Sequence, residues 1–176
     1  MGNLERTLAY LQFVQQFELE AGMINFLTGL ESLAYPWMAA NLDRVNCTLE
    51  QYLRACQDCF SPSRCCDARI FAAPIAPHCP TDGFCNIRVQ PATIVVDVGR
   101  IIPADWLPLV VHEYAHAMVG RAGHTPEFAR IVSHLCLGLG VKSTPVNTIA
   151  EVELKSYPPC RPSPDPIGFW QGRGMC

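Results

Sequence analysis

Apolar residues recur at Leu4, Leu8, Leu11, Val14 and Phe17, the three-and-four spacing of one helical face, so residues 3–20 are expected to form a helix. Residues 23–34 and 36–44 carry further short helical patterns, and Pro36 between them reads as a break. Thr48, followed by Glu50 and Gln51, is suited to capping another helix over about 49–59. From 59 to 83 the text turns to Pro, Cys, Ser and Asp. This reads as an irregular cross-linked region, with one strand within 68–75. The β-branched runs at 84–89 and 93–98, joined near Gln90 and Pro91, are expected to pair as a hairpin.

A helix then starts at Pro103 or Asp105, with Pro108 tolerable only in its first turn, and stops near Gly120 and Gly123. Between 109 and 119 it is apolar on every side except at His112, Glu113 and His116. A helix apolar all round is a buried helix. Thr125, Pro126 and Glu127 supply a cap, a first-position proline and a first-turn acid for the next helix. Its core face is Phe128, Ile131, Val132, Leu135 and Leu139. Beyond Gly140 the chain becomes rich in proline, from Pro145 to Pro166. The expected fold is α+β: N-terminal helices, a small mostly antiparallel sheet, and two helices that bracket the His-bearing face. It spans one domain over 1–144, with a Cys-rich insertion at about 47–85. An extended Pro-rich tail follows over 145–176, free to join an oligomer or a larger assembly.

A chain of 176 residues with 49% hydrophobic content is long enough for one ordinary core. Its net charge is -3 and no basic stripe is visible, so nucleic acid has no electrostatic reason to bind. No apolar run reaches the length of a membrane span. The N-terminus lacks the basic start, apolar stretch and small-residue site of a secretory signal, so a cytoplasmic location is expected. The cysteines complicate that expectation. Seven of the ten fall between Cys47 and Cys85, a density that goes with disulfides outside cells and with metal inside them. A virion or other released particle is the alternative location, since its parts become oxidised without being secreted.

The chemistry concentrates in His112-Glu113-Tyr114-Ala115-His116. Positions i and i+4 share one helical face, so two imidazoles can reach one ion at about 2.0–2.1 Å. Glu113, beside the first ligand, is placed to act as general base toward a water activated by zinc (Zn2+). Chance alone yields the pattern in roughly one in a hundred chains of this composition, so context must decide. Two histidines and a glutamate on an otherwise apolar buried helix are costly without partners, and a metal supplies them. His124, after a glycine on each side of Arg121 and Ala122, is the expected third ligand. Glu151 is its rival. His134 reads as a solvated residue on a polar helix face, and His78 as a loop residue.

Residues 109–128, LVVHEYAHAMVGRAGHTPEF, resemble the zinc core of SprT-like metallopeptidases and their zincin relatives. Those families place a hairpin, an HExxH helix, then a His followed by an aromatic residue that opens another helix. Residues 84–140 follow that order, about a third of the chain. The resemblance implies His112, His116 and His124 as ligands and Glu113 as catalyst. The spacing from His116 to His124 is shorter than in most SprT-like members, Thr125 stands where they usually have Gly, and no zinc ribbon follows.

Cys56, Cys59, Cys65, Cys66, Cys79 and Cys85 offer several four-ligand sets around one CxxC pair. Disulfides, a second metal site and unpaired thiols are the three readings. Cys136 is expected to be a core thiol. The function these features point to is zinc-dependent hydrolysis of peptide bonds, with a protein or peptide substrate lying extended beside an edge strand near 93–98. Two other readings use the same residues. One is a structural component of a larger assembly, such as a virus particle, built on a metal-binding core. The other is a metal-binding regulator without turnover. Tyr157 and Arg121 are candidate oxyanion donors.

Overall fold

The computed structural model describes residues 2–142 and 154–173. The architecture is α+β, with five helices and one three-stranded sheet among the described residues. α1 spans Asn3–Gln15, α2 Glu31–Asp58, β1 Ala68–Ala72, β2 Gly83–Asn86 and β3 Ala92–Val96. A 3-10 turn at Pro103–Asp105 leads into α3, Trp106–Val119. α4 covers Pro126–Leu139 and α5 Pro166–Trp170. No described helix is long and apolar enough to cross a membrane.

The largest difference from expectation is α2. Pro36 does not divide two short helices, and Thr48 does not start a third; both lie inside one 28-residue helix. Residues 23–30, expected to be helical, precede it as loop and turn with a β-bridge at Ile24. Met38, Leu42, Val45, Leu49, Leu53 and Cys56 are all buried, an unbroken three-and-four stripe. Burial of that stripe outweighs the roughly 3 kcal/mol that an interior proline costs. Thr48 instead donates its hydroxyl back to the Arg44 carbonyl at 3.1 Å, as a mid-helix threonine does. Cys47, Cys56 and the two strands β1 and β2 therefore belong to the central fold, and 47–85 is not an insertion into it.

The sheet order is β1-β3-β2. β2 and β3 form the expected antiparallel hairpin, with a cis Gln90–Pro91 bond between them. β1 pairs with β3 in parallel, from Ala68 opposite Ala92 to Ala72 opposite Val96. The sheet is thus mixed, not mostly antiparallel, because β1 reaches β3 through the long 73–91 connection that contains β2 and not through a tight turn. β3 is the central strand and wholly buried, as its continuous apolar run requires. β2 is the edge. α3 packs against β2, β3, α2 and α4, so the His-bearing helix is enclosed on three sides.

Residues 154–173 do not form an extended tail. Leu154, Tyr157, Phe169 and Trp170 are buried, and the last three join the main core. Trp170 donates its indole N–H to Asp97 at 2.9 Å and packs edge-on to Trp37. Arg161 holds Asp105 through a side-chain pair at 2.7 and 2.8 Å, and Ile101 bridges to Pro162. The proline density spaces these anchors along the surface; the aromatic residues between them drive docking.

Candidate metal centre

Local sequence explains how three histidines meet. His112 and His116 lie one turn apart on α3. Gly120 ends the helix in the left-handed region at φ 66°, and Gly123 turns the chain at φ 95°. His124 is thereby carried back to the helix, and Thr125 accepts from the Phe128 N–H to start α4. The ring centroids lie 5.0 Å apart for His112 and His116, 5.1 Å for His112 and His124, and 4.9 Å for His116 and His124. The fully buried Phe128 ring touches all three, at 4.5–5.1 Å.

The triangle fits a metal ion. One ligand nitrogen from each ring lies within 4.8 Å of the others, and among the described residues no other His, Cys, Asp or Glu group of three does so. The Nε2 atoms of His112 and His124 are 3.2 Å apart. Two nitrogens bound tetrahedrally at about 2.0–2.1 Å stand about 3.3–3.4 Å from each other. His112 donates its Nδ1 proton to the Tyr157 carbonyl at 2.8 Å, which leaves the Nε2 lone pair facing the other rings. Burial lowers the His112 pKa to about 4, against the pull of the Tyr157 carbonyl, and lowers that of His116 to about 3, helped by its two neighbours. Both rings are therefore neutral near pH 7, the form that binds metal. An imidazole–imidazole hydrogen bond accounts for the 3.2 Å pair alone but leaves the third ring in the triangle without a reason.

Glu113 is 4% exposed yet lines the cleft beside the histidines. Burial, and secondarily the charge of Asp82, push its carboxyl up to about 8. Its oxygen rests against Gly83 on β2, where an added Cβ would come within 3.1 Å of Oε1. The space opens on both sides of this carboxylate. One lobe of about 480 Å³ includes all three histidines, Phe84 and Cys85. The other, about 250 Å³, includes His112, Asp82, Lys155 and Pro158.

Other expected residues fall elsewhere. Glu151, the rival ligand, lies outside the described residues. His134 is exposed but anchored, donating to the Cys59 carbonyl at 2.8 Å and lying 4.8 Å from the Phe60 ring. His78 sits in an exposed turn. Arg121 pairs with Glu127, and Tyr157 is buried, turning its carbonyl to His112. Cys56, Cys59, Cys65, Cys66, Cys79 and Cys85 are free thiols and share no metal-sized group. Cys56 and Cys59 stand at the end of α2, Cys65 and Cys66 beside the Tyr114 hydroxyl, and Cys85 in the cleft wall. Cys136 is a buried core thiol as expected, with its pKa pushed up to about 11 by burial. The Tyr157 carbonyl, Gly83 and Asp82 escape a reading of the sequence, since a backbone carbonyl, a glycine and a loop acid carry no motif. No protein-family model, curated protein or solved structure matches the chain.

Proposed function

We propose that this chain is a zinc-dependent peptide hydrolase of the zincin type, with His112, His116 and His124 as metal ligands and Glu113 as general base. One observation carries the reading: three imidazoles converge within ligand distance of one another while a buried carboxyl from the helix that bears two of them faces an open cleft beside them. Structural zinc sites close with four protein ligands, whereas catalytic ones keep a position free. Three histidines, with no fourth ligand among the described residues, favour the second kind. When bound, zinc supplies Lewis acidity toward a water molecule and a peptide carbonyl.

The chain's own groups do the rest. Tyr157 fixes the His112 tautomer. Phe128 sets the floor on which the three rings stand and keeps water from below. Burial alone would keep the Glu113 carboxyl protonated near pH 7; a cation held by the three histidines would oppose that and favour the ionised form. Glu113, held against Gly83, would then accept a proton in the cleft and return it to the leaving amine. β2 lines both lobes through Gly83 and uses only one edge to pair with β3. Its other edge is suited to receive an extended peptide. That moves the expected substrate-binding edge from 93–98, which is central, to Gly83–Asn86.

The test is Glu113→Gln in the zinc-loaded full chain. Glutamine keeps the shape and cannot accept a proton at neutral pH. Metal content should hold at one zinc per chain while hydrolysis of a peptide library falls by about 10²–10⁴-fold. A wild-type protein that holds zinc and cleaves nothing in that library refutes the hydrolase.

A further inference from the structure

Three cations rim the cleft beside the histidines. Arg88 follows β2, Arg121 follows α3, and Lys155 comes from the C-terminal segment; all three are exposed and line the same lobe. Glu20 is the exposed acid on that wall. Arg121 pairs with Glu127 at 2.7 Å, but among the described residues neither Arg88 nor Lys155 pairs with a carboxylate. The chain as a whole carries a net charge of -3, so this rim runs against its average. The opposite end of β2 differs. There half-buried Asp82 lines the smaller lobe together with Lys155, so Lys155 is shared by both lobes while Arg88 and Arg121 belong to the larger one.

We propose that the cleft selects peptides carrying Asp or Glu at the end that lies over Arg88 and Arg121. This rests on reading the cleft as a peptide-binding site. A concave wall with cations at one end focuses its field on an incoming chain and fixes the direction in which that chain lies. The sequence shows no basic stripe, which fits a short acidic peptide and not a polyanion. Each exposed charge pair is worth a factor of about 1.5–5, so two or three together give roughly tenfold.

The experiment measures binding and not turnover. Zinc-loaded Glu113→Gln protein is titrated with fluorescent decapeptides that differ only in having Glu, Gln or Lys at one end. The Glu peptide should bind roughly tenfold tighter than the Lys peptide, and the preference should shrink as salt rises. Arg88→Glu with Lys155→Glu should reverse the order while zinc content stays unchanged. Equal affinities, a preference for Lys, no binding by any of the peptides, or an unchanged order in the double variant would overturn the proposal. The same peptides given to the wild type separate the two readings. Acidic selection without cleavage leaves this inference standing and removes the hydrolase; cleavage without selection does the reverse.

Discussion

Trp170 offers a direct test of how the C-terminal segment serves the metal centre. Its side chain is fully buried, packs against Trp37 and Phe169, and donates to Asp97. Trp170→Ala should therefore cost about 3–5 kcal/mol, a large share of the 5–15 kcal/mol or so typical of a whole domain. Trp170→Phe keeps an aromatic ring but removes the N–H together with part of the fused ring system, so the pH-dependent part of its cost is what reports on the hydrogen bond. Burial already pushes the Asp97 carboxyl up to about 6, against donors from Ile75 and Trp170, the Arg100 charge and the Gly99 N–H. A raised carboxyl pKa means that the ionised form is the one the fold disfavours. Losing a donor should then hurt more above pH 6, where Asp97 is charged, than near pH 5. The expected penalty for Trp170→Phe is about 1–3 kcal/mol at pH 8, and less at pH 5. Urea denaturation followed by circular dichroism measures both. If the segment loosens, the Tyr157 carbonyl leaves His112, and zinc affinity in a chelator competition should drop by about 10–100-fold for Trp170→Ala. A Trp170→Ala protein within about 1 kcal/mol of wild type, with unchanged zinc affinity, would refute both the docking and its link to the site.

Gly83→Ala should lower kcat by about tenfold or more with zinc content intact, because the new Cβ lies 3.0 Å from Val96 Cγ1 and 3.1 Å from Glu113 Oε1 and displaces the base; steady-state kinetics beside metal analysis checks it. The Arg161 guanidinium holds the Asp105 carboxyl below its ordinary value. A depressed carboxylate stabilises the fold above its unfolded value of about 4 and loses that contribution as pH falls through the lower folded value. The melting temperature of wild type should thus exceed that of Arg161→Ala at pH 7, and the gap should close as the pH approaches 2.

What the chain shows on its face are the elements whose signals are local. The capped start at Thr125, the glycine stops at Gly120 and Gly140, and the hairpin of β2 and β3 all lie where residue chemistry places them. α2 is hidden from a local reading because a proline is a strong local signal while the stripe from Met38 to Cys56 is a tertiary one, and the tertiary one prevails. The parallel pairing of β1 with β3 leaves no mark either, since both faces of β3 are buried and its run has no alternation to read. The C-terminal segment misled for the same reason: proline density conceals Tyr157, Phe169 and Trp170, whose partners lie far away in sequence. At the site, His112, Glu113 and His116 follow from helical spacing, and His124 from the glycine turn. The Tyr157 carbonyl could not be found that way.

That hidden carbonyl changes how the third ligand must be identified. Glu151 lies in the same C-terminal stretch as Tyr157, outside the described residues. Deleting everything after Thr144 looks like a clean way to tell His124 from Glu151, but it also removes the His112 acceptor and the buried Phe169 and Trp170. Zinc affinity should fall on truncation whichever residue is the ligand. Point variants in the full chain avoid the confusion. His124→Ala removes one of three convergent nitrogens and should weaken zinc by far more than the 10–100-fold or so expected from losing an orienting partner. Glu151→Ala should leave zinc affinity and stoichiometry at wild-type values, because three histidines already meet at ligand spacing without it. Competition with a chromophoric chelator reads both variants on one scale. A large loss in Glu151→Ala with little change in His124→Ala would assign the ligand to Glu151 and reduce the 3.2 Å contact between His112 and His124 to an ordinary hydrogen bond.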